Sequence, residues 1–164
     1  MRVLGIDPGG SVTGYGIVEQ CENRLLHIGN GGIIVHSKNS FPESLKEISD
    51  DLEKIIGDYC PDVMAVESLF FHKNVKAALK LGHVRGVVIL AAVNAGLRVY
   101  EYSPLEIKQA VVSYGRATKE QIQMMVKELL TLPDIVPFDA SDALAIAICH
   151  IHSINMREAL ERSI

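Results

Sequence analysis

The stretch RVLGIDPGGSVTGYGIVE (residues 2–19), continued by RLLHIGNGGIIV (24–35), decides the fold. Arg2 to Asp7 is an apolar run of strand length, PGG turns the chain, and Thr13 to Glu19 alternates as a second strand. Gly14 and Gly16 make room for close packing on that strand, and Arg24 to Val35 forms a third, with a bulge expected among Gly29, Gly31 and Gly32. Connections this short join antiparallel neighbours, so residues 2–35 read as a three-stranded meander.

Downstream the period changes. Ser40 and Glu43 have capping-box spacing ahead of Leu45, Ile48, Leu52, Ile55 and Ile56, which recur at helical intervals. Asp62 to Glu67 is a fourth strand, reached through a helix and therefore parallel to its neighbour. Residues 74–95 read as a long helix rich in small residues, and Leu97 to Tyr102 is the fifth strand. Three more helix starts follow. Ser103-Pro104-Leu105-Glu106 and the pair Thr118/Gln121 have capping spacing, and Asp139 caps a helix from Ala140 to about Ser153. The order βββαβαβααα predicts one α/β domain over 1–164, with a frayed end from about residue 154. Its five-stranded mixed sheet has three antiparallel strands, then two parallel ones, and is flanked by helices.

Length and composition fit that picture: 164 residues, 22% charged, no Trp. No apolar stretch reads as a membrane span, the start is too short for a secretory signal, and three cysteines without metal spacing suggest reduced thiols. The expectation is a cytoplasmic protein with no membrane partner. The net charge of −4 conceals an asymmetry. Residues 70–127 hold nine Lys/Arg against three Glu, residues 1–69 five against eleven acids, and residues 128–164 two against six. A basic centre between acidic flanks suits a protein that grips phosphates and holds cations over them, though a solvated helical face gives the same counts.

The acids stand in apolar settings: Asp7 after VLGI, Glu67 after VMAV, and Asp139 with Asp142 in FDASDALAIA. Burying unpaired carboxylates is costly, and no Lys or Arg run lies beside them. Hard divalent cations take oxygen ligands and keep several waters, so such a cluster can hold Mg²⁺ without His or Cys. Asp139 and Asp142 share a helix face at i, i+3, where the helix N-terminus favours negative charge. Two adjacent aromatics, Phe70 and Phe71, in a polar stretch before Lys73 suit stacking on splayed bases, or the anchoring of a loop. His150 and His152, two apart on a helix, face different ways and read as structural.

These motifs, with KNVKAALKLGHVRGVVILAAVNAGL and EYSPLEIKQAVVSYGRATKEQIQMMV, closely resemble the RuvC family of Holliday-junction resolvases within the ribonuclease H-like nucleases, over residues 1 to about 152. The resemblance implies metal-binding, catalytic acids at Asp7, Glu67, Asp139 and Asp142, served by two Mg²⁺ ions, with Mn²⁺ an alternative. It implies a base-wedging aromatic at Phe70 and basic residues near the site at Lys108 and Lys119. Phe71, Lys73, Asn74, Lys76, Lys80 and Arg116 complete the expected DNA-contacting set. It further implies paired nicks across four-way junction DNA that leave 5′-phosphate and 3′-hydroxyl ends, and work alongside the branch-migration proteins RuvA and RuvB. A homodimer is expected too, and Ala77, Ala78, Leu81, Val84, Val88 and Ala92 on the long helix are the expected contact. Two places depart from the family pattern. Gly10 and Ser11 stand where a serine and a basic residue are common, and REALERSI carries no extended basic tail. An actin-like or sugar-kinase reading needs a second, duplicated domain for which there is no room, and a non-catalytic scaffold would be expected to have lost an acid. A relative that cleaves RNA in hybrids remains the alternative.

Overall fold

The computed structural model describes residues 1–22, 24–36, 38, 40–68 and 74–161. The strands β1 (Arg2–Asp7), β2 (Val12–Cys21), β3 (Arg24–Ile34), β4 (Val63–Glu67) and β5 (Arg98–Tyr102) form one sheet in the order β3-β2-β1-β4-β5. β1, β2 and β3 pair antiparallel, while β4 and β5 run parallel beside β1. The register of β3 slips between its partners Ile17 and Val18, opposite Gly29 and His27, so Ile28 is the extra residue. Gly31 and Gly32 stay in register opposite Tyr15 and Gly14, which confines the expected bulge to the Gly29 end.

Two helical layers cover the sheet. On one face α1 (Phe41–Tyr59) and α2 (Val75–Asn94) enclose a core of Leu4, Ile6, Ile17, Ile48, Leu52, Met64, Val84 and Val88. On the other, α5 (Phe138–Glu161) crosses β2 and β1, with α3 (Pro104–Val112) and α4 (Lys119–Leu129) packed against it. Capping boxes start three of these helices: Ser40 with Glu43, Ser103 with Glu106, and Thr118 with Gln121. Each cap satisfies N–H groups that the first turn leaves unpaired and is worth roughly 1 kcal/mol.

The structure corrects three expectations. Helix α5 begins at Phe138, so Asp139 lies inside its first turn instead of capping it, and the helix continues to Glu161, well past Ser153. Val84, Val88 and Ala92 are buried in their own subunit's core, so they are not free to form a dimer contact. Finally, α2 is by length and composition long and apolar enough to cross a membrane. Its inner side belongs to the core, and its outer side exposes Val75, Leu79, Leu90 and Val93.

Close backbone contact, besides side-chain packing, seats α5 on the sheet. A Cβ at Gly5 would collide with the carbonyl of Ala143, and one at Gly14 with the carbonyl of Asp139. Gly14 is the register partner of Asp7. The absence of two side chains therefore brings the first turns of α5 down beside the end of β1.

Candidate active site

Strand alternation sends Leu4 and Ile6 to the α1/α2 side, leaving Val3, Gly5 and Asp7 to face α5. The parallel neighbour repeats the pattern, with Val63, Ala65 and Glu67 on the same face. Asp7 and Glu67 thus end adjacent strands side by side, just past the register pair Ile6 and Val66. Asp142 reaches them from α5, and Lys108 of α3 and Lys119 of α4 close the other wall. These five, with Pro104, Ile107, Ile122, Ala145 and Ile146, line a cleft of about 280 Å³. Asp139 is exposed outside that lining, near enough for its charge to act on Asp7 and Lys119.

The electrostatics are those of crowded like charges. Burial pushes the Asp7 carboxyl up from 3.8 to about 7, and the carboxylates of Asp142, Glu67 and Asp139 add to the rise while Lys119 opposes it. Burial, followed by Asp142, also raises Glu67, against the pull of Lys119 and Lys108. Lys119 Nζ donates to Asp142 Oδ2 at 3.0 Å, and this bond holds its ammonium above the usual range. The acids therefore do have basic neighbours, although no Lys or Arg run stands beside them in the sequence. Those neighbours come from α3 and α4, which the fold brings over the cleft from distant parts of the chain.

Hard oxygen donors under mutual repulsion fit a divalent cation, which would relieve the charge that burial makes costly. Among the described residues, however, no group of three or more His, Cys, Asp or Glu side chains converges closely enough to hold a metal ion. Asp7, Glu67 and Asp142 would hold one through one or two carboxylates each time, water filling the other positions.

The remaining expected DNA contacts are scattered. The Asn74 side chain accepts from Ala77 N at 3.2 Å and so caps α2. Lys76 and Lys80 are exposed on α2, with Lys80 Nζ 5.4 Å from the centre of the Phe41 ring. Arg116 is exposed between α3 and α4. Phe70, Phe71 and Lys73 lie outside the described residues. Near the altered first turn, buried Thr13 donates to Gly9 O at 3.3 Å, while Gly10 and Ser11 are exposed.

Two features go beyond the sequence reading, the first missed there and the second, at His150, read there only as structural. Arg85 Nε donates to the carbonyl of Glu67 at 3.4 Å, and its guanidinium pairs with Glu101 on β5, so α2 braces the end of β4. A lone arginine inside GHVRGVVILAAV was the available signal. Second, about two turns beyond Asp142 on α5, buried His150 lies against the rings of Tyr100 and Tyr102, its Nδ1 2.8 Å from the Tyr102 hydroxyl. Burial, then Arg157, lowers its pKa from 6.5 to about 4, so it is a neutral core residue at physiological pH. His152 Nδ1 lies 2.9 Å from the carbonyl of Ala110, a structural contact.

A β1-β2-β3 meander extended by parallel strands, with carboxylates at the ends of β1 and β4 and on the last helix, defines a ribonuclease H-like nuclease. The family model for the crossover junction endodeoxyribonuclease RuvC matches residues 3–150. A relative from Syntrophotalea carbinolica bearing that name is 54% identical over 160 residues, covering 98% of this chain and 99% of its own length. One from Pelobacter propionicus is 56% identical over 153 residues, covering 93% of this chain and 87% of its own. The solved structure of Thermus thermophilus RuvC in complex with a Holliday junction substrate superposes with a TM-score of 0.90 at 32% identity, over 95% of this chain and 96% of that one. The chain belongs to the RuvC family of crossover junction endodeoxyribonucleases.

Proposed function

We propose that the protein resolves four-way DNA junctions by paired, metal-dependent nicks that leave 5′-phosphate and 3′-hydroxyl ends. The observation that carries this reading is the cleft itself: Asp7, Glu67 and Asp142 on three rigid elements, two lysines opposite, and Asp7 raised to about 7 by burial and its fellow acids. Two Mg²⁺ ions, or Mn²⁺, would be held by Asp7, Glu67 and Asp142, with Asp139 at the rim. A bound divalent cation supplies charge stabilisation at the phosphate and at the departing 3′ oxygen. The chain's own share is positioning. The sheet fixes Asp7 and Glu67, and the backbone seat of α5 fixes Asp142. Lys108, Lys119 and Arg116 draw in the backbone of the DNA, a contribution that weakens with salt.

Symmetric cutting asks for two sites related by a two-fold axis, and the outer face of α2 supports a homodimer. Val75, Leu79, Gly82, Gly86, Leu90 and Val93 recur at intervals of four and three, and a Cβ at Gly82 or Gly86 would meet nothing within 4 Å. Of the residues first expected there, exposed Ala77 and half-buried Ala78 and Leu81 remain available. Phe70 and Phe71 would wedge bases, RuvA and RuvB would deliver the junction, and the work would be cytoplasmic, on one domain spanning 1–164. The test is incubation with a mobile four-way junction and Mg²⁺, with products resolved strand by strand. Matched nicks in two like-oriented strands are expected, and cleavage confined to RNA–DNA hybrids would overturn the proposal. Sedimentation at micromolar concentration should give a dimer that Leu79→Asp dissociates; a monomeric wild type would overturn the symmetric mechanism.

A further inference from the structure

We propose that the Lys119 ammonium is a built-in counter-ion that stands among the carboxylates in the metal-free protein and must leave Asp142 before a divalent cation can take its place. The inference rests on the metal reading of the cleft and adds a competitor to it. Three observations carry it. The ammonium is 3.0 Å from Asp142 Oδ2, and its charge acts on Asp7, Glu67 and Asp139 as well. The two partners are unequally fixed: the Asp142 side chain is 23% exposed and that of Lys119 68%, so the lysine is the one free to swing away. Its backbone stays in place, because Lys119 is the first residue of α4, directly after the N-cap Thr118 and within the Thr118–Gln121 capping box. Lys108 lines the same cleft without a comparable tie to Asp142, and its charge acts on Glu67.

A positive charge within hydrogen-bonding distance of a ligand oxygen opposes a second cation there, and the cation must also break the bond to Asp142. The arrangement accords with the finding that, among the described residues, no three acids converge on one point: an ammonium stands beside Asp142 where a cation would otherwise draw the carboxylates together. It also makes cation binding deliver a freed lysine into the cleft where the phosphate lies, so metal loading and DNA grip are linked through one side chain.

Mn²⁺ titration of the DNA-free protein by calorimetry tests this without using activity. Lys119→Met should bind Mn²⁺ at least about tenfold more tightly than wild type, whereas Lys119→Arg, which keeps the charge, should stay near wild type. The metal-free melting temperature should fall in Lys119→Met, and the gap to wild type should close at saturating Mn²⁺. Equal or weaker Mn²⁺ binding by Lys119→Met overturns the inference and leaves the metal site standing. Absence of Mn²⁺ binding in wild type and variant alike overturns the site and the inference together.

Discussion

Two polar clusters lie about two turns apart along α5, and burial is handled in opposite ways in them. The Tyr100–His150–Tyr102 group is neutral, bonded and packed ring on ring. The Asp7–Glu67–Asp142 group keeps like charges together, offset mainly by one exposed lysine. The first is what a fold does with polar atoms when stability alone is at stake. The second leaves its charges unsettled, which is the state a cation and a phosphate backbone can complete. Charge left in conflict, more than burial as such, marks the functional end of the helix.

The largest effect that would sharpen this contrast is catalytic. Asp7→Asn, Glu67→Gln or Asp142→Asn should each lower junction cleavage in Mg²⁺ by about 10³-fold or more. Junction binding in a gel-shift assay should hold or improve, since negative charge has been removed. Near-normal turnover by any of the three would erase the distinction between the clusters.

Stability should respond in the opposite sense. Asp7→Asn ought to stabilise the metal-free protein at pH 8, by on the order of 2–4 kcal/mol in urea unfolding. Tyr102→Phe, which leaves buried His150 Nδ1 without its partner, should instead cost about 1–3 kcal/mol while the folded enzyme still cuts junctions at close to the wild-type rate. A destabilised Asp7→Asn would mean that the acid pocket is a structural network after all.

The pH dependence of unfolding gives a finer comparison. Asp7, with its pKa raised from 3.8 to about 7, contributes stability that is complete below 3.8 and lost as pH climbs through about 7. His150, lowered from 6.5 to about 4, contributes stability present above 6.5 and lost as pH falls through about 4. The two slopes oppose each other, so in the metal-free wild type the histidine should mask much of the loss caused by Asp7, to which the raised Glu67 adds in the same sense. Asp7→Asn should unmask the histidine and make stability rise with pH. A flat profile in the variant would break the assignment of opposite signs. The smallest effect is at Lys108, where Ala should reduce the salt dependence of junction binding by about one phosphate contact.

Much of this was legible in the sequence because it is local. The alternation of β1 and β4 sends Asp7 and Glu67 to one side, and three capping boxes stand at fixed spacing before their helices. What was not legible depends on approach between distant segments. The resemblance places Lys119 near the acids but says nothing of its bond to Asp142, 23 residues away, which forms only because α4 folds over α5. Val84, Val88 and Ala92 have the small, apolar character of interface residues, and composition alone does not say which side of α2 faces the sheet. Asp139 looks like a cap by residue type, yet the helix takes in Phe138 ahead of it.

The seat of α5 on Gly5 and Gly14 has a consequence for inheritance. Neither glycine offers a group that could bind, donate or react, so a survey of functional side chains would pass over both. A methyl at Gly14 would nonetheless press on the backbone of Asp139 and shift the start of α5 away from Asp7, with every acid and lysine still present. Such a lesion would leave a protein that is complete in its parts list and wrong in its tolerances. Loss-of-function variants of this enzyme should therefore collect at positions whose contribution is empty space, and no added chemistry elsewhere in the chain would restore them.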